Sequence, residues 1–217
     1  MFKSSSRHAR TRPARRIGAR LGATVLTAGL AVTGAIGAST AAQAAPQSAY
    51  PRPVRPYVWH PGGFDDAATV YVTKRNGQLI PHCENVPLAA ATSGDVRILV
   101  RTELAPLFQA LMRATEQRYG YDLRRGLTGA FSCRMIDGSA NVSNHAYGRA
   151  IDMNWDENPM ASYFQSDIPP AVVKLWIDHG FYWGGHYTNK KDTMHFEYVA
   201  PIESVPFFLN RLKTYRG

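Results

Sequence analysis

SNHAYGRAID, residues 143–152, sets His145 and Asp152 seven positions apart with the small residues Ala146, Gly148 and Ala150 between them. Gly148 offers a turn. Beyond it residues 149–154 alternate, with Ala150, Asp152 and Asn154 on one face and Ile151 and Met153 on the other, the pattern of a short strand. Asp152 then points to one face of a sheet, His145 overhangs that face from the turn, and Ala150 leaves space beside them. Imidazole nitrogen and carboxylate oxygen are zinc ligands, and a catalytic zinc takes three protein ligands and keeps a position open. A turn histidine and a surface carboxylate that meet by chance are the plain alternative.

A third ligand has five candidates: His60, His82, His179, His186 and His195. His60 lies in a proline-rich stretch, and His82 follows a proline beside Cys83. His179 falls in the last turn of an expected helix, where an imidazole interacts well with the helix dipole. His186 follows Gly184-Gly185 in a polar loop expected to be exposed. His195 differs: it alternates within MHFEY, sharing a strand face with Glu197, and Asp192 stands three residues before it. A ligand histidine with a carboxylate nearby suits water activation at a metal.

Two motifs in order carry a family resemblance. SNHAYGRAID fits S-x-H-x-x-G-x-A-x-D, and FYWGGHYTNKKDTMHFE, residues 181–197, fits a second half that ends D-x-M-H-F-E. With Cys133-Arg134 upstream, residues 80–200 resemble the zinc-dependent peptidoglycan peptidases related to the VanX/VanY D,D-peptidases. The D-T-M-H form resembles the branch of phage endolysins and D-alanyl-D-alanine carboxypeptidases, not the E-x-x-W-H dipeptidases. The resemblance implies one zinc per chain on His145, Asp152 and His195. It implies that Asp192 takes the proton of the zinc-activated water, and that Arg134 steadies the substrate carbonyl or oxyanion. Ser143 contacts substrate or supports the site. Glu197 is the rival base or a group that orients a ligand histidine.

The ends of the chain set the compartment. Residues 1–20 hold seven basic residues and no acid, an apolar run broken by Gly and Thr follows, and Ala42-Gln43-Ala44 fits a cleavage site. Residues 1–44 therefore read as a secretory signal peptide, not a lasting membrane anchor. The whole chain is +9, from 25 basic and 16 acidic residues. Without the seven leader charges, 18 basic face 16 acidic, or +2, which removes the electrostatic case for nucleic acid. Cys83 and Cys133 are the chain's two cysteines, and an oxidising exterior predicts a disulfide between them.

Residues 45–62 hold five prolines and read as a linker or an arm lying on the domain, and residues 63–217 as one domain with its own core. Strands are expected at 69–73, closed by Asn76-Gly77, at 95–100 and at 127–134, with a loop around Cys83. A helix is expected over 103–119, capped by Thr102 and ended by Gly120. A second runs from Pro170 through Trp176 to a stop at Gly180, and a short third covers 205–212. Phe181, Trp176 and Trp183 read as core, Trp155 as a residue able to line the cleft, and Arg149 as solvated. The fold class is α+β, a small mostly antiparallel sheet flanked by helices, and the resemblance implies the hedgehog/DD-peptidase-like zinc peptidase fold. The expected function is a secreted, cell-wall-associated, monomeric zinc metallopeptidase. It hydrolyses peptidoglycan stem peptides, as a D-alanyl-D-alanine carboxypeptidase or an L-alanyl-D-glutamate endopeptidase. The alternative is a non-catalytic, zinc-containing wall-binding module of the same fold. Ser143 with His145 does not read as a serine hydrolase pair, because the two are too close in sequence and no G-x-S-x-G elbow exists.

Overall fold

The structure, a computed structural model, describes residues 44–52 and 69–216. The expected leader, apart from Ala44, lies outside the described residues, as does residues 53–62 of the arm with His60. No helix among the described residues is long and apolar enough to cross a membrane.

Strands β1 (Tyr71–Arg75) and β2 (Gln78–His82) form an antiparallel hairpin whose turn residues, Asn76 and Gly77, both have positive φ, 50° and 83°. Asn-Gly is the pair that tolerates this turn, so the expected strand closes where the sequence indicates. A second hairpin, β3 (Leu88–Ser93) with β4 (Val96–Arg101), follows. The stretch read as a loop around Cys83 thus contains β2 and β3. Pro81 in one and the Ala89-Ala90-Ala91 run in the other are poor strand formers, and partner strands override the local preference.

Helix α1 (Ala105–Tyr119) buries Leu107, Phe108, Leu111, Met112 and Thr115 and ends at Gly120, whose φ of 65° suits glycine. Thr102 does not cap it. The chain first makes a turn in which Leu104 N–H bonds the Arg101 carbonyl at 2.9 Å, and the helix starts later, with Pro106 in its first turn. Helix α2 (Pro170–Asp178) stops before Gly180, which has a φ of 91°, and α3 (Val205–Thr214) closes the fold.

Strands β5 (Ala150–Asp152), β9 (His195–Tyr198) and β7 (Phe181–Trp183) form an antiparallel sheet in that order. Two-residue strands β6 (Met160–Ala161) and β8 (Lys191–Asp192) pair beside it. All pairs of these named strands are antiparallel, and the α+β class holds. Residues 127–134 are not a strand. They leave a turn at Leu127 with two isolated bridges, Thr128 to Arg125 and Gly129 to Asp152, and Phe131 N–H bonds the Leu99 carbonyl on the other side. Divided between two neighbours, the segment forms no continuous ladder.

The sheet has a core face and a site face. Ile151, Phe196 and Trp183 are fully buried on one, where Trp176, Phe181 and Phe108 interlock edge to face. Asp152, His195 and Glu197 occupy the other. Tyr50, from the short described piece of the arm, stacks on Trp183 at 4.8 Å and donates to the Ile168 carbonyl at 2.7 Å. The piece of the arm carrying Tyr50 therefore lies on the domain.

Two histidines depart from expectation. His186 is half-buried, and its Nε2–H donates to the Pro51 carbonyl at 2.7 Å, because the packed arm covers that loop. His179 is wholly buried, donates Nδ1–H to the Leu175 carbonyl at 2.7 Å, and is pushed below the usual histidine pKa by burial. It is a neutral core residue, not a charged cap. An unfolded histidine takes a proton near pH 6.5, so His179's share of stability is full above that value and is lost as pH falls below it. Chemical denaturation at pH 7 and pH 5 is expected to show a shallower pH loss for His179→Gln than for the parent chain.

Candidate metal centre

Local turns place His145. Ser143 is buried and its Oγ accepts the His145 N–H at 3.3 Å, while the His145 carbonyl accepts Gly148 N–H at 3.0 Å. Gly148, with φ of 66°, lies so near β4 that a Cβ there would fall 2.5 Å from Arg101 N, and its carbonyl accepts that N–H at 2.8 Å. The motif glycine therefore supplies a left-handed turn and a close approach that a side chain would block. Arg149, expected in solvent, is 1% exposed, because the turn that docks Gly148 carries it inward.

His145, Asp152 and His195 come together as the sequence predicts. His145 Nε2 is 3.1 Å from Asp152 Oδ2 and 3.1 Å from His195 Nδ1, and His195 Nδ1 is 2.9 Å from Asp152 Oδ1. The outer nitrogens are engaged: His145 Nδ1–H donates to the Ala130 carbonyl, and His195 Nε2 faces Glu197 Oε2 at 3.5 Å. With those nitrogens protonated, the inner ones present lone pairs to each other and to a carboxylate. Only a cation or a shared proton makes three such acceptors attractive neighbours. Donors of a tetrahedral zinc with bonds of about 2.0–2.1 Å sit about 3.3 Å apart, close to what is seen. The residues fit that ion.

With protons shared on the inner nitrogens, burial still opposes ionisation of Asp152, but hydrogen bonds from His145 and His195 outweigh it and hold the carboxyl well below its usual value. Burial likewise disfavours a charged His195, yet Asp152 and Glu197 raise it well above the ordinary histidine range.

Glu197 sits behind His195, 2% exposed, accepting from Tyr187 Oη–H at 2.7 Å and from Asn144 Nδ2–H. It contacts the outer nitrogen of His195, so of its two expected roles the geometry favours orienting the ligand. Asn144 and Tyr187 were not singled out from the sequence. Asn144 occupies a variable position of the motif, and nothing local signals that either reaches residue 197.

Asp192, on β8, has an Oδ1 that is buried with no hydrogen-bond partner among the described residues. Burial pushes its carboxyl up to about 6, with His195, Asp152, His145 and Arg134 close enough to act on it electrostatically. Gly184 permits this placement: a Cβ there would meet the Asp192 carbonyl oxygen at 2.4 Å. Arg134 is exposed, and its carbonyl accepts Ser143 N–H at 3.1 Å. The adjacent Cys133 is bonded to Cys83, as expected. A bridge spanning 50 positions stabilises by about 4 kcal/mol in the chain-entropy account. His82 stays apart from this centre, stacked on Tyr71.

Residues 137–198 match the model of the D-alanyl-D-alanine carboxypeptidase family. The matched segment holds His145, Asp152, Asp192, His195 and Glu197, and it supports that peptidase family. No curated protein and no solved structure matches the chain.

Zinc titration followed by calorimetry is expected to give one ion per chain, lost in His145→Ala and in His195→Ala. Glu197→Gln is expected to keep the stoichiometry and weaken affinity by about 10- to 100-fold.

Proposed function

We propose that this chain is a secreted zinc peptidase that hydrolyses peptidoglycan stem peptides, of the D-alanyl-D-alanine carboxypeptidase type. The observation that carries the reading is the convergence of two imidazole lone pairs and one carboxylate beside a second, buried carboxyl without a hydrogen-bond partner. The family match over 137–198 supports the substrate class. The leader pattern and the disulfide support action outside the cytoplasm.

His145 Nε2, Asp152 and His195 Nδ1 would hold the zinc, which acidifies water and polarises a carbonyl when bound. Asp192 receives the proton of the attacking water on its carboxylate and returns it to the leaving amine. A carboxyl raised toward neutrality holds a proton more readily than an ordinary one, as both halves of that task require. Arg134, on the exposed side, offers a cation for the substrate carbonyl or the developing oxyanion. Glu197 keeps His195 in the tautomer whose Nδ1 faces Asp152 and His145, and Ala130 holds His145 Nδ1 through its carbonyl so that Nε2 faces the same centre. Ser143 supports the turn that carries His145.

The test is zinc-loaded protein incubated with purified peptidoglycan, with and without a chelator, and the products weighed. Chelator-sensitive release of D-alanine is expected. Release of cleaved stem fragments instead would assign the endopeptidase alternative, and zinc binding without any release would assign the wall-binding module. Asp192→Asn is expected to retain zinc and lower kcat by about 10²- to 10⁴-fold. A near-normal rate in that variant would transfer the proton to Glu197.

A further inference from the structure

Gly129 is paired directly with Asp152 by two backbone hydrogen bonds, Gly129 N–H to the Asp152 carbonyl at 3.0 Å and Asp152 N–H to the Gly129 carbonyl at 2.8 Å. Directly paired residues of antiparallel strands project to the same face, with Cβ atoms about 4.5–5.5 Å apart. The side-chain position at Gly129 therefore lies on the face that carries the Asp152 carboxylate. The indole of Trp155 borders that position: a Cβ on Gly129 would lie in van der Waals contact with Trp155 Cζ3, 3.4 Å away. The Trp155 backbone N–H bonds the Leu127 carbonyl at 3.1 Å, which ties its backbone to the 127–129 segment. The indole edge rests on the backbone next to a metal ligand, and the residue remains 41% exposed. Indoles are most often buried, as Trp176 and Trp183 are here, both at 0%.

A second exposed apolar side chain stands by the other carboxylate. Met160 is 48% exposed and is the direct antiparallel partner of Asp192. The two acids with distinct roles are thus each flanked by an open apolar surface. A leaving amine and a carbonyl occupy the polar centre of such a site, and the apolar flanks meet what is attached to them.

We infer that Trp155 is a substrate-binding residue that sets specificity, its exposed indole packing against a C–H surface of the substrate beside the scissile bond. Two parts of a wall fragment present that chemistry: the alkyl side chains of the stem peptide, and the sugar ring to which the peptide is attached. The inference rests on the peptidase reading and deepens it.

The experiment compares the parent chain, W155A and W155F, all zinc-loaded, on a synthetic stem pentapeptide and on the same peptide linked to its disaccharide. Steady-state kinetics give kcat and KM. Calorimetric titration of the same ligands into the Asp192→Asn background gives Kd without turnover. W155A is expected to raise KM and Kd by about 5- to 20-fold, with kcat and zinc content unchanged, and W155F to recover most of the loss. A loss on both substrates assigns the alkyl side chain as the stacked group, and a loss confined to the disaccharide substrate assigns the sugar. Unchanged KM and Kd on both, or a fall in kcat accompanied by loss of zinc, overturns the inference while leaving the peptidase reading in place. A parent chain that neither binds nor cleaves either ligand overturns the peptidase reading, and this inference with it.

Discussion

Two imidazoles and a carboxylate that face one another within 3.1 Å are a standing electrostatic demand on the rest of the molecule. Left in water, three such groups would separate, since nothing but a cation or a proton makes their approach favourable. Here the outer nitrogens are held from behind by a carbonyl and a carboxylate, and the backbone beneath is paired on both sides of Asp152. The arrangement is thus imposed on the three side chains by contacts that point away from their centre. Breaking a rear contact leaves a buried polar group unsatisfied, at a cost of roughly 1–3 kcal/mol, so the ring orientations are stiff.

The remainder of the fold serves that stiffness. One face of the β5–β9–β7 sheet is anchored by Ile151, Phe196 and Trp183 in a core that α1 and α2 complete. Since side chains alternate along a strand, fixing those three residues inward fixes Asp152, His195 and Glu197 outward. A register slip of one residue would exchange the two sets, burying charge and exposing indole. Core packing and site geometry are therefore one constraint seen from two sides of a sheet. Gly148 and Gly184 add close approaches, the first against β4 and the second against Asp192, that no other residue type permits.

The two carboxylates near the centre receive different environments, which suit them to different tasks. Asp152 is hydrogen-bonded to both histidines and stays ionised, the form in which a carboxylate can hold a metal. Asp192 is desolvated without a hydrogen-bond donor for its Oδ1, which raises it toward the range where a carboxyl exchanges protons near neutrality. Glu197, equally close in sequence to His195, is bound by Asn144 and Tyr187 and faces the wrong nitrogen for that exchange. Sequence distance left the choice between Asp192 and Glu197 open, and orientation favours Asp192.

Much of this was legible beforehand because it depends on short-range pattern. Alternation in 150–152 and 195–198, the turn glycines and the spacing of apolar residues along α1 follow from backbone geometry, and so does the α+β class. Asn154, expected to continue the strand face of Asp152, instead turns away with a φ of 44°, and the grouping of His195 with His145 and Asp152 was implied by the family resemblance. What failed did so where a distant partner overrode a local preference. An alanine run became β3 because β4 pairs with it, residues 127–134 lost their strand to two competing neighbours, and Arg149 and His186 were covered by segments remote in sequence. The sequence by itself determined which chemical groups are present and which face of each element they share. Only the tertiary structure decided which nitrogen of each histidine points inward, which acid lacks a hydrogen-bond donor, and that an exposed indole lies over Gly129. Those depend on contacts across tens of residues, and no local periodicity encodes them.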